Sequence, residues 1–82
     1  MYTVNDDDLA KEQVAALPAE ALSAYAELRT LLEVEPWSGP SYNSAKPDAS
    51  MRCMPFGRAG MATYLILEDE RRVDVLDVTW VG

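Results

Sequence analysis

The sequence predicts a single α+β domain in which an N-terminal helix hairpin packs on a small, mostly antiparallel sheet, in the order β-α-α-β-β-β. Three observations predict it. Two runs rich in β-branched, aromatic and large apolar residues, Met61–Leu67 and Val73–Trp80, flank the charged step Glu68-Asp69-Glu70-Arg71-Arg72, which is the pattern of an antiparallel hairpin. Ahead of them lie two stretches with apolar residues at three- and four-residue steps, the pattern of amphipathic helices. The chain has 82 residues, 49% of them hydrophobic, enough for one core and one domain spanning 1–82. A helix hairpin laid on one face of a sheet buries both kinds of apolar surface.

Met1–Val4 is short and β-prone, and is expected to add a strand to the sheet. Asn5 and the aspartates Asp6, Asp7 and Asp8 then open a helix: any of them can cap it, and carboxylates in a first turn face the positive end of the helix dipole. Its stripe reads Leu9, Ala10, Gln13, Val14, Leu17. Pro18 disfavours a helical Leu17 and suits a first helical position, so the two helices meet at Leu17–Pro18. The second helix turns Ala21, Leu22, Tyr25, Leu28 and Leu32 inward and ends before Pro36. Three prolines, a glycine and several small polar residues make 36–48 an irregular loop, of a length that often carries function. Trp37 and Tyr42 are placed to plug the sheet edge. The second strand is Ser50–Pro55, the turn Phe56–Gly60 has two glycines able to take positive φ, and the third strand is Met61–Leu67. In the fourth strand the apolar parity changes. Val73 and Val75 share one register; Leu76, Val78 and Trp80 share the other. Either both faces are buried or a bulge sits near Val75–Leu76, with Asp74 and Asp77 pointing away from the core.

Seven basic against fourteen acidic residues leave a net charge of -7, which argues against binding nucleic acid or an anionic membrane through bulk charge. The charge is uneven. Residues 1–35 carry eight acids and two bases, whereas 40–60 carry Lys46, Arg52 and Arg58 against Asp48 alone. Cys53 is the only cysteine, so no intrachain disulfide can form and a reducing compartment is expected. No apolar run has the length of a membrane span, and the aspartates fall where a signal peptide would have its apolar core. A cytoplasmic protein is the expectation. The chain has no histidine, and the aspartate run lacks the glycine and distal glutamate of a calcium loop, so neither metal nor cofactor is expected.

Four pieces of the chain resemble the RelE/ParE toxin superfamily: Leu17-Pro18 between two helices; the long helix ending Leu31-Leu32-Glu33-Val34-Glu35-Pro36; Met51-Arg52-Cys53-Met54-Pro55-Phe56-Gly57-Arg58-Ala59-Gly60, a strand and glycine turn; and Tyr64–Asp69 followed by Val73–Val78, similar to the family's closing hairpin. The resemblance implies the toxin of a type II toxin–antitoxin system, with a cognate antitoxin as partner. Family members that depend on the ribosome cut mRNA by in-line attack of a ribose 2′-hydroxyl on the adjacent phosphate. That chemistry needs cations around the phosphorane-like transition state and a group that moves a proton. Arg52 stands at a strand position where the family often has Lys or Arg, and Arg58 in the turn is placed to touch a phosphate; these are the candidate catalytic residues. Lys46 and Tyr42 on the loop and Trp80, which can stack a base, are the candidate RNA- or partner-binding residues. The chain also departs from the nuclease pattern: Gly60-Met61-Ala62-Thr63 follows the turn without an arginine, Met54 replaces a second basic strand residue, and the basic, tyrosine-bearing tail does not follow Trp80. Two functions are therefore expected to compete. One is a compact RelE-like endoribonuclease. The other is a non-enzymatic module on the same scaffold that grips a protein, as the gyrase-inhibiting branch does. A third reading is a small α+β domain unrelated to toxins. A homodimer through a free strand edge, at Met1–Val4 or at the hairpin, is a further expectation.

Overall fold

The computed structural model describes residues 1–82. In chain order the elements are β1 (Thr3–Asp6), α1 (Asp8–Ala15), α2 (Ala19–Val34), a 3-10 turn (Pro36–Ser38), β2 (Met51–Phe56), β3 (Gly60–Leu67), a second 3-10 turn (Glu68–Glu70) and β4 (Arg72–Trp80). One sheet holds all four strands in the order β1-β4-β3-β2. β2, β3 and β4 run antiparallel, while β1 lies parallel to β4. The sheet is therefore mixed, and the first strand of the chain is neighbour to the last.

Strand alternation decides what is buried. Met54 and Phe56 of β2, Ala62, Tyr64 and Ile66 of β3, and Val73, Val75 and Val78 of β4 face the helices. They close on Ala10, Ala21, Tyr25, Leu28 and Leu32 to form the core. The parity change in β4 is a bulge: Thr63 pairs with Asp77 and Tyr64 with Val75, which leaves Leu76 as the extra residue. The bulge returns Val78 to the core and lets Trp80 pack against it. Asp74 and Asp77 stay on the register that faces away.

Several boundaries differ from the sequence expectation. β1 runs on to Asp6, and Asp7 is the cap of α1, accepting from the Ala10 N–H at 2.9 Å. Asp6 stays in the strand because it has other partners: the Tyr25 hydroxyl (2.7 Å) and Arg29 Nη1 (2.6 Å) both donate to its Oδ1. α1 stops at Ala15, with Leu17 buried just beyond it, and Pro18 caps α2 from outside the helix. Leu9 and Leu22 are 52% and 42% exposed, so neither belongs to the core stripe. The loop after α2 is not wholly irregular, since Pro36 opens one 3-10 turn.

The sheet edges are covered. β1 ends opposite Val75, so the second half of β4 has no strand beside it. Gln13 of α1 takes that place: its Oε1 accepts from the Val78 N–H and its Nε2 donates to Asp77, both at 2.6 Å. At the β2 edge, the Tyr42 N–H donates to the Met51 carbonyl (2.9 Å) and the Cys53 N–H to the Pro40 carbonyl (3.1 Å). Pro55, further along, has no N–H to offer. At β1, the Tyr2 N–H donates to the Glu33 carbonyl (2.8 Å) and Arg29 Nη2 donates to the Val4 carbonyl (2.8 Å). No helix is long and apolar enough to cross a membrane.

Candidate functional site

The parity of β2 that turns Met54 and Phe56 into the core turns Arg52 to the same side, near the strand's start. There the guanidinium meets the loop that follows α2. Its Nε donates to the Ala49 carbonyl (3.1 Å), Nη1 to the Gly39 carbonyl (3.0 Å) and Nη2 to the Pro47 carbonyl (2.7 Å). The cation also lies over the Trp37 ring, 4.9 Å from its centroid. Arg52 is 9% exposed and forms no ion pair. Carbonyl dipoles and an aromatic face therefore offset the cost of burying this charge. In this arrangement Arg52 braces a loop.

Tyr64, paired with Arg52 across β2 and β3, extends the brace. Its hydroxyl donates to the Pro36 carbonyl at 2.6 Å, and burial pushes the phenol up to about 12. Gly39 passes so close that a Cβ there would stand 2.3 Å from the Tyr64 oxygen. Within the loop, Ser41 Oγ donates toward the carbonyls of Lys46 (2.7 Å) and Asn43 (3.0 Å), and Asn43 Oδ1 accepts from the Ala45 N–H. The loop so folded presents Lys46 and Tyr42 to solvent, the latter 62% exposed.

The other candidates lie at the far end of the sheet. Gly57 takes φ 59°, a value that favours glycine, and turns the chain so that Arg58 faces the start of α2. Arg58 Nη2 and Nε donate to the two Glu20 carboxylate oxygens at 2.8 and 3.3 Å. The pairing holds Glu20 below the usual carboxylate range and raises Arg58. The guanidinium also lies over the Trp80 ring, 5.4 Å from its centroid. Trp80 itself packs on Phe56, and its Nε1 is buried with no acceptor. The structure thus brings Arg58 and Trp80 together, and gathers Arg52, Tyr42 and Lys46 around the loop. It does not join the two groups: Arg52 and Arg58 are on the order of 15 Å or more apart at a strand rise of ~3.3 Å per residue.

A third cluster has no counterpart in the sequence reading. The Glu68 carboxylate accepts from the Tyr2 hydroxyl (2.6 Å), Trp37 Nε1 (2.8 Å) and Arg71 Nη1 (2.7 Å). These bonds, that of Tyr2 first, hold its pKa down at about 2. Arg71 takes a left-handed conformation, φ 52°, and lies over the Tyr2 ring. Glu68 thereby ties the start of β1, the loop and the β3–β4 turn together. Its neighbours are 66, 31 and 3 residues away in the chain, so only the charged step itself was visible beforehand.

No protein-family model matches the sequence, and no curated protein matches it significantly. Solved structures do match in shape. A chain of the intact E. coli RelBE toxin–antitoxin complex superimposes with a TM-score of 0.81 at 10% identity, covering 100% of this chain and 99% of that one. The isolated E. coli RelE toxin gives 0.77 at 13% identity, with 100% and 86% covered. A RelE mutant bound to a RelB antitoxin peptide gives 0.66 at 17% identity, with 99% and 84% covered. The chain is similar to these in fold: two helices on a four-stranded mixed sheet, RelE-like from end to end.

Proposed function

Starting from a RelE-like fold, we propose that this chain is the toxin-like component of a toxin–antitoxin pair, and that it acts by gripping a protein rather than by cutting RNA. The solved structures of similar fold are a toxin and its antitoxin complexes, which supports the first half. The observation that carries the second half is the state of the two candidate cations. In-line cleavage needs cations and a proton carrier converging on one phosphate. Here Arg52 spends its donors on three loop carbonyls, Arg58 is paired with Glu20, and the length of β2 separates them. The net charge of -7 favours a basic protein surface over RNA as the thing gripped.

The test is induced expression of the chain without a neighbouring antitoxin, with mRNA ends mapped at growth arrest. Arrest without new ends is the expected result. New ends at fixed codon positions would overturn the gripping reading. Normal growth with abundant folded protein would remove toxicity from the proposal.

A second reading has its own observation. Arg58 lies over Trp80 on an exposed turn, a cation beside a ring that can stack a base. If ends do appear, Arg58→Ala should abolish them and Arg52→Ala should act through loss of stability.

A further inference from the structure

The last two turns of α2 carry an apolar ridge that the core does not use. Leu31 is 39% exposed and Val34 is 60% exposed, one turn apart on the helix, and Trp37 follows on the 3-10 turn. A cleft opens on each side. One, of about 220 Å³, lies between α2 and β2, with Leu28, Leu31, Met54 and Phe56 in its walls. The other, of about 350 Å³, is formed by Tyr2, Val34, Pro36 and Trp37. Both have firm floors. Leu28, Met54 and Phe56 are core residues, and Trp37 is held by Glu68 on its indole nitrogen and by Arg52 on its face.

The charged side chains that line the two clefts are glutamates, and the cations stacked on the walls of the second, Arg71 over Tyr2 and Arg52 over Trp37, are engaged by Glu68 and by loop carbonyls. Glu27 lines the first cleft and Glu35 the second, and no lysine or arginine lines either. Neither glutamate is in an ion pair. A second copy of the chain does not suit the surface, because a two-fold contact would set these same glutamates against each other.

We propose that the Leu31–Val34 ridge is a docking surface for a basic partner segment: a short stretch bearing Lys or Arg whose two large apolar side chains straddle the ridge, one in each cleft. The inference rests on the protein-gripping reading and specifies the partner's chemistry and its place on the fold. Apolar anchors supply the affinity, and the unpaired glutamates supply attraction and register.

The experiment selects random displayed dodecapeptides on the folded chain and then titrates the enriched peptides, as synthetic molecules, against variants. The enriched peptides should carry two large apolar residues and an excess of Lys or Arg. Val34→Asp should weaken them by about tenfold or more, as for loss of an interface anchor. The Glu27→Lys/Glu35→Lys double variant, confined to exposed positions, should do likewise. Met61→Asp, on the sheet face away from the helices, should leave affinity unchanged. Acidic or neutral peptides, indifference to Val34→Asp, or no enrichment at all would overturn the proposal. Peptides sensitive only to Met61→Asp would overturn the placement while leaving the gripping reading intact; that reading fails separately, on mapped mRNA cuts.

Discussion

Arg52 shows how a residue's chemistry and its job can part. A strand arginine in a basic stretch reads as a phosphate contact; in the fold the burial of its register and the path of the loop turn its donors to three carbonyls. Neither can be read locally, since the accepting carbonyls belong to Gly39, Pro47 and Ala49. Arg52→Met should cost about 2–3 kcal/mol, through acceptors left unpaired in a covered site. Urea denaturation measures the loss. Faster hydrogen exchange at the Tyr42 and Cys53 amides, which close the loop onto β2, would show where it arises. Gly39 gives a sharper case. Gly39→Ala places a methyl 2.3 Å from the Tyr64 oxygen and should destabilise by about 1–3 kcal/mol, as overpacking does. Tyr64→Phe alone should cost about 1 kcal/mol for the bond to Pro36. In the double variant the methyl gains room, so the two costs should not add, which a double-mutant cycle detects. Glu68 contributes to the acid limb of stability. Its folded pKa, about 2, lies below its usual 4.5. The contribution is therefore fully present above pH 4.5 and disappears as pH falls through 2. Glu68→Gln should flatten the fall of Tm across that window, measured by calorimetry at stepped pH.

At the scale of elements, what the sequence displayed well was periodicity. Both helices, the hairpin and the parity change in β4 follow from spacing, because parity in a half-buried strand is a local property; spacing left two-sided burial or a bulge as its cause, and the pairing with β3 makes it a bulge at Leu76. The pairing of β1 was not visible. Asn5 and Asp6 are poor strand formers, yet they sit in β1 because Asp74 and Val75 provide a ladder and Tyr25 and Arg29 provide partners for Asp6. Tertiary contacts outweighed propensity there. Gln13 is similar: it reads as a polar gap in a helical stripe and is in fact the cover of an open strand. Gln13→Ala should free the Val78 N–H and the Asp77 carboxylate together, with a loss of about 1–2 kcal/mol. It should also let the exposed edge of β4 pair with another chain, which sedimentation velocity would show as concentration-dependent dimer.

Across the whole molecule, the architecture was legible and the candidate site only by halves. Arg58 and Trp80 meet because a glycine turn and a strand end face each other, both of which have sequence signatures. Arg52 and Arg58 do not meet, because the length of β2 lies between them and each is engaged locally, Arg52 by loop carbonyls and Arg58 by Glu20. The acidic character, by contrast, is simple to read and carries furthest. It colours the ridge on α2 and sets the polarity proposed for the partner. The strand order has a consequence of another kind. β4 lies between β1 and β3, so the strand made last occupies the middle of the sheet. During synthesis, β1 and both helices leave the ribosome before their shelter exists, and their apolar faces wait for Arg72–Trp80 to clear the exit tunnel. A binding partner made from the same message would meet those faces while they are still open.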